Sequence, residues 1–238
     1  MTMDTMKNFV TTRLFRLGLP VTFLLLCTLV IWLTEADLRL ARAVYESGKG
    51  WPGIGRFPWD LLYEYANAPA FLLALLAGGI LLSGFWLRNQ ARCRKQALFL
   101  LLLLLLGPGL VVNTLLKDHV GRARPIDVQE FGGDFPFTQL WQHGVSDENR
   151  SFPSGHASVA FYLFAPWFIL RQRNRVQAAC WLASGLAFGS LVGAARILQG
   201  GHFLSDVLWA GGLVYLCGEV LAQAMAMDRD SADCWTRD

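Results

Sequence analysis

Ala97-Leu-Phe-Leu-Leu-Leu-Leu-Leu-Leu-Leu-Gly-Pro-Gly-Leu-Val-Val-Asn-Thr-Leu-Leu116 runs for twenty residues without a charge, with seven consecutive leucines from Leu100 to Leu106. A helix that crosses the hydrocarbon core of a bilayer needs about 20 predominantly apolar residues, and this stretch has that length. It shows no polar stripe at helical spacing, so it reads as a segment facing lipid rather than the inner face of a soluble bundle. Arg88, Arg92, Arg94 and Lys95 precede it and Lys117 closes it. The Gly107-Pro108-Gly109 interruption predicts a kink, because proline removes one helical amide.

The same pattern extends outward in both directions. Gly18 to Thr34, Pro69 to Leu87, His156 to Leu170, Ala178 to Ala195 and Ser205 to Met225 are further apolar runs, the fourth span in chain order (His156 to Leu170) being slightly short. The expected fold is therefore all-α, an integral membrane bundle of six transmembrane helices. Glu35 to Asn67 is a mixed segment carrying Trp51, Trp59, Tyr63 and Tyr65, and it is expected to lie along the membrane surface after the first helix. The Gly78-Gly79 pair predicts close approach of a neighbouring helix. The domain plan is a tail over 1–17, a six-span domain over 18–225 and a second tail over 226–238.

Hydrophobic residues make up 54% of the 238 and charged residues only 16%, which places the chain with membrane proteins. A net charge of +3 spread over short clusters gives no basic face for nucleic acid. Cys27, Cys93, Cys180, Cys217 and Cys234 have neither CxxC spacing nor accompanying histidines, so neither a disulfide framework nor a zinc site is expected. The first run lacks a small-residue cleavage pattern and reads as an uncleaved anchor. The basic clusters of the N-terminal tail, 88–95 and 171–175 face the cytoplasm by the positive-inside rule. Both termini are then cytoplasmic, and the segments 35–67, 117–152 and 196–204 meet on the opposite, periplasmic face of an inner membrane.

Those segments hold the polar chemistry. Lys117, Arg122 and Arg124 fall within eight residues, against the inside rule. One such residue would be read as snorkelling to the interface, whereas three ask for an anionic partner. In Pro153-Ser-Gly-His156, a polar turn opens an apolar run, and its free amides suit an oxyanion. Taken alone, that turn is better read as an ordinary boundary, with Ser154 as a cap and His156 as an interfacial residue. His202 and Asp206 stand four apart and share a helix face, so the carboxylate can orient the imidazole or satisfy local amides at the helix start. Arg122 is open to a phosphate role or an exposed loop role. His119 and Asp118 read as helix-end residues, His143, Asp127, Glu130 and Asp134 as solvated loop groups, and Phe135, Phe137 and Trp141 as a lid or a lipid-contacting rim.

Lys117 to Arg124-Pro125, the Pro153-Ser-Gly-His156 turn and Arg196 to His202 to Asp206 together resemble the three signature motifs of the type 2 phosphatidic acid phosphatase superfamily. The resemblance implies a six-span membrane phosphatase with a periplasmic active site and a phosphohistidine intermediate. It assigns His202 as nucleophile, Asp206 as its orienter and His156 as general acid. It assigns the substrate phosphate to Lys117, Arg124, Ser154, Gly155 and Arg196. Ala195 stands where that motif usually has serine, a position without a catalytic part in this scheme. The stretch 127–133 and the glycine-rich third motif are also similar to bacterial members acting on lipid A or other envelope lipids.

The implied reaction is hydrolysis of a lipid phosphomonoester or diphosphate such as phosphatidate, phosphatidylglycerophosphate, undecaprenyl diphosphate or lipid A. It requires no metal and no cofactor, since the cations neutralise the transferring group. Expected partners are the lipid substrate and the bilayer, with no nucleic acid and no obligate protein partner. One rival is a phosphotransferase passing a phosphoryl group from a prenyl diphosphate to another lipid. A second is a lipid or phosphate transporter, which should carry ionisable residues in the middle of several spans. The central stretches of the six runs carry none.

Overall fold

The computed structural model describes residues 3–83, 91–144 and 150–229. The C-terminal end of the second apolar run, Arg88, Cys234 and most of the tail over 226–238 lie outside the described residues. The long helices are α1 (Met3–Leu33), α4 (Ala68–Ser83), α5 (Ala91–Leu104), α9 (Arg175–Leu198) and α10 (Leu204–Ala224). Short helices α2 (Ala36–Val44), α3 (Trp59–Tyr65), α6 (Lys117–Val120), α7 (Gly155–Phe161) and α8 (Pro166–Leu170) fill the intervals. Among the described residues no strand forms, and the protein is all-helical.

Five segments are long and apolar enough to cross a membrane: Leu14–Leu33, Trp59–Ser83, Cys93–Leu116, Arg175–Leu198 and Leu204–Ala224. Gly155–Leu170 is a shorter apolar helix. Its side chains Ala157, Phe161, Tyr162, Phe164, Ala165 and Phe168 form the centre of the main core. This helix is walled by protein, whereas Phe23, Leu72, Leu75 and Leu82 on α1 and α4 are exposed in the way lipid-facing residues are.

The expected close approach at Gly78-Gly79 is not what forms, since a Cβ at either would meet nothing within 4 Å. The approach occurs instead on α9, where Gly185, Gly189 and Gly193 repeat every four residues. A side chain there would run into Phe164, Phe161 and Val207 respectively. That bare stripe lets the buried central helix and α10 lie against α9 at backbone distance.

The Gly107-Pro108-Gly109 interruption is taken up in a widened helix. From Leu105 to Leu116 the leucine-rich segment is a π-helix containing Pro108. Asn113 Nδ2 donates to Pro108 O at 2.7 Å and Thr114 Oγ1 to Gly109 O at 3.2 Å, each five residues back. Both side chains thus bond back to carbonyls of the Gly107-Pro108-Gly109 stretch, with the five-residue reach of the widened helix. This segment delivers Asn113 and Lys117 to the start of α7.

The segment 35–67 does more than lie along a surface. Glu35, in the left-handed region at φ 51°, separates α1 from α2, and α2 turns Asp37 and Ala41 inward. Ala41, Trp51, Ala123, Val128, Phe131 and Phe203 form a second small core at one end of the bundle. Phe135 and Phe137 pack against it, so they belong to this cap and form no lid. Trp141 stays half exposed, edge-on to Trp32 at 5.3 Å. Gly53 N–H donates to Leu198 O at 3.0 Å and Ile126 N–H to Gly200 O at 3.0 Å, which joins the segments 35–67, 117–152 and 196–204 into one structure.

The other end is closed by ion pairs. Arg171, buried between α8 and α9, donates through Nε and Nη2 to Asp228 at 2.8 and 2.9 Å and through both Nη atoms to Glu219. Arg16 of α1 pairs with the same Asp228. Glu219 is fully buried about a turn and a half from the end of α10, a carboxylate inside a span that is already neutralised.

Candidate active site

Ser154 occupies the N-cap position of α7, yet its hydroxyl makes no capping bond. Its Oγ is buried and has no protein partner, while its N–H donates to Asp206 O at 3.2 Å. An unpartnered buried hydroxyl is costly unless a ligand completes it. Gly155 follows with no room for a side chain, because a Cβ would collide with Asn113 Oδ1 and stand 3.2 Å from Lys117 Nζ. The turn is therefore pressed against Lys117, so the first amides of α7 and that ammonium can share one anion.

Arg196 lies near the end of α9 and is buried. Gln199 Oε1 accepts from its Nη1 at 2.5 Å, the Tyr63 ring lies 4.5 Å below its guanidinium carbon, and Nε has no protein partner. Gly201 is bare where a Cβ would strike this guanidinium. Ala195, at the position where the motif has serine, is fully buried against the bundle. Arg124 joins Arg196 on the wall of a cavity of about 230 Å³ at the same end of the molecule. His156 stacks against Tyr63 with ring centres 4.7 Å apart and lies within electrostatic reach of Arg196, His202, Lys117 and Arg124.

His202 is 2% exposed. Its Nδ1 faces Asp206 Oδ2 at 3.8 Å, within ion-pairing range and longer than a hydrogen bond. Burial pulls the imidazole down from 6.5 to about 4 even though Asp206 acts the other way, so it is neutral at physiological pH with a lone pair available. Of the two roles left open by spacing, the helix-start bond forms, while the approach to His202 stays at 3.8 Å. Asp206 Oδ2 accepts from the Phe203 N–H at 2.8 Å at the start of α10 while also facing His202. All eight residues expected from sequence thus come to one end of the bundle, around a set of unpartnered buried donors and acceptors.

Asp37, Ser151 and Ser205 were not singled out by spacing, and Arg122, one of the three clustered cations, was left open. Arg122 is 1% exposed, neither a solvated loop residue nor a phosphate ligand. It donates to Asp206 Oδ1 at 2.6 Å, to Ser205 Oγ at 2.8 Å, to Asp37 Oδ2 at 2.9 Å and to Thr138 O at 3.1 Å. Its guanidinium carbon sits 4.5 Å from the Phe203 ring centre and 5.5 Å from that of Phe137. Burial opposes its charge, but Asp206 and Asp37 outweigh that and raise its pKa above the ordinary arginine value. Ser151 Oγ donates to Asp206 Oδ2 at 2.6 Å, and Asp37 accepts from the Ser205 N–H and Oγ at 2.9 and 2.6 Å. Glu130 is a solvated group as expected, in an exposed ion pair with Arg42 of α2. His119 does sit at a helix end, its Nδ1 2.7 Å from Leu115 O.

The family described as the PAP2 superfamily matches residues 96–229. The chain belongs to the PAP2 superfamily. It is similar to a lipid A 4'-phosphatase of Francisella tularensis subsp. novicida, with 34% identity over 207 residues that cover 84% of this chain and 90% of the relative. It is similar also to a lipid A 1-phosphatase of Rhizobium etli, with 31% identity over 206 residues covering 81% and 78%. In fold it resembles the crystal structure of a transmembrane PAP2-type phosphatidylglycerolphosphate phosphatase from Bacillus subtilis, with a TM-score of 0.52 at 21% identity over 88% of this chain and 96% of that one. As a PAP2 member with these relatives, the protein is a multi-pass membrane lipid phosphatase, a phosphoric ester hydrolase.

Proposed function

We propose that this PAP2 enzyme removes a phosphate from the sugar headgroup of a lipid of the lipid A type, at the periplasmic face of an inner membrane, through a phosphohistidine. The observation that carries the mechanism is His202, neutral and buried, with Asp206 behind its Nδ1 and the cations Lys117, Arg124 and Arg196 gathered at the same end. Two relatives matched over most of their length, both acting on lipid A by name, support the substrate.

In this scheme Nε2 of His202 attacks phosphorus in line and the P–O bond to the lipid breaks. His156 gives its proton to the departing alkoxide. Lys117, Arg124, Arg196, the Ser154 hydroxyl and the amide of Gly155 hold the non-bridging oxygens as charge builds on them. Water then attacks the phosphohistidine, His156 takes its proton, and inorganic phosphate leaves with His202 restored. Asp206 stabilises the imidazole while it carries positive character.

Gly155–Leu170 is read as the sixth span. Its 16 residues cover about 24 Å at 1.5 Å per residue. That is less than the roughly 30 Å hydrocarbon core. Its catalytic N-terminus would then sit below the headgroup plane, where a lipid phosphate must be drawn in. Arg94, Lys95, Arg171 and Arg173 at the other end favour the cytoplasm there.

The test is phosphate release from a disaccharide bisphosphate lipid by purified wild type and His202→Ala. The substitution is expected to cost at least about 10³-fold in turnover, and vanadate is expected to inhibit the wild type. Turnover within threefold of wild type in the variant would remove His202 as nucleophile, and phosphate recovered on a second lipid would mark a transferase.

A further inference from the structure

Beside the phosphate cations the cavity continues into a part that phosphate chemistry does not use. Asp60 and Gln199 supply polar groups there, and Ile54, Ile126 and Tyr63 supply apolar and aromatic faces. At about 230 Å³ it is smaller than the roughly 300–1,000 Å³ of pockets for drug-sized molecules. That volume, which takes in the Arg124 and Arg196 wall, is on the scale of one sugar ring with its phosphate.

Gln199 is fixed between this part and the phosphate site. Its Oε1 accepts from Arg196, and its Nε2 donates to Asp60 Oδ1 at 3.2 Å and to Gly53 O at 3.4 Å. Asp60 Oδ2 has no protein hydrogen bond among the described residues. An ionised carboxylate only accepts, so whatever enters must bring hydrogen-bond donors. Ile54 and Ile126 are 53% and 39% exposed, a wet apolar surface against which the C–H face of a ring can lie, and Tyr63, packed on Arg196 and His156, is 43% exposed beside them.

We propose that Asp60, Gln199 and Tyr63 form a subsite for the sugar ring that bears the scissile phosphate, with Asp60 accepting from a ring hydroxyl or amide N–H. The proposal rests on the phosphatase reading above and assigns the leaving-group specificity to α3. The leaving group of phosphatidate, a diacylglycerol, carries ester oxygens but no donor once bonded to phosphorus. It would bring acceptors against a carboxylate and leave Asp60 Oδ2 without a donor. Sites built to bond a polar substrate group discriminate strongly against analogues that lack it.

The experiment measures kcat/KM for a disaccharide bisphosphate lipid and for dioleoyl phosphatidate in the same micelles, in wild type, Asp60→Ala and Asp60→Asn. Wild type is expected to prefer the sugar lipid by about 10²-fold or more, and Asp60→Ala to shrink that preference at least tenfold. Asp60→Asn keeps an acceptor for Gln199, so a smaller preference there too locates the effect in the charge rather than in the support of Arg196. Equal loss on both lipids in both variants would make Asp60 a support of Arg196 and overturn the subsite. Wild type hydrolysing both lipids equally would overturn it while the phosphatase reading stands. Hydrolysis of neither would bring down both.

Discussion

The two ends of the bundle are each built on a buried arginine held by two carboxylates, and they differ in what is left over. At the basic end Arg171 uses all three guanidinium nitrogens on Glu219 and Asp228, Arg16 adds a second cation, and Gln223 donates to Glu219 Oε1 at 3.1 Å. Every carboxylate oxygen there is satisfied. At the other end Arg122 likewise neutralises Asp37 and Asp206, but Asp206 Oδ2 also faces His202, and Ser154 Oγ, Arg196 Nε and His202 Nδ1 are buried without a hydrogen-bond partner. A closed network only fastens helices. One that ends in unmatched donors and a neutral imidazole holds its polar groups ready for a ligand.

Replacing Arg122 leaves the buried Asp37 and Asp206 short of a partner, and replacing Arg171 leaves the buried Glu219 short of one, a loss on the order of 3–5 kcal/mol. Arg122→Met and Arg171→Met are therefore both expected to lower the thermal unfolding midpoint in detergent by a similar amount. Only Arg122→Met should also lower kcat of the folded fraction, by roughly tenfold or more, because Asp206 then shifts against His202. A matching kcat loss in Arg171→Met, assayed at equal folded fraction, would erase the distinction between the ends.

A smaller effect separates ligand groups from staples. Ser154→Ala removes a hydroxyl that bonds nothing in the protein, so its unfolding midpoint should stay at or above that of wild type. Its kcat/KM should fall by roughly 10-fold, the value of a lost hydrogen bond to a charged group. Ser151→Ala, which cuts a bond to Asp206, should instead cost about 1 kcal/mol of stability. Equal stability loss in the two would show that Ser154 has a structural partner.

The smallest signal is a pH slope. His202 is lowered from 6.5 to about 4, chiefly by burial, with Asp206 opposing and Arg196 and Lys117 assisting. Between those values the unfolded chain binds a proton that the folded one refuses, so stability falls as pH drops through this window and is flat above it. Thermal unfolding of wild type and His202→Gln from pH 7 to 4.5 checks this, with a shallower slope expected in the variant. An unchanged slope would mean that His202 is not held neutral.

Much of this protein could be read from its residues in order. The apolar runs located the long helices, although α1 begins well before its run, at Met3, and Lys117, Arg124, Ser154, Gly155, His156, Arg196, His202 and Asp206 were all legible because each lies in a short motif. Asp37 was not, since a carboxylate on an amphipathic nine-residue helix looks like any solvated one, and its partners Arg122 and Ser205 are 85 and 168 residues away. Ser151 adjoined the turn and still gave no sign, because its role depends on Asp206 lying 55 residues on. Gly78-Gly79 misled for the same reason. A small-residue pair permits an approach, and only the packing of the whole bundle decides where the approach is made.

By itself the sequence determined what local chemistry determines: which segments are too apolar for water, and which short motifs carry the charges and imidazoles. The tertiary structure decided which of those charges neutralise one another and which remain available. Pairing inside a bundle is a matter of distances across helices, and no periodicity along the chain encodes them.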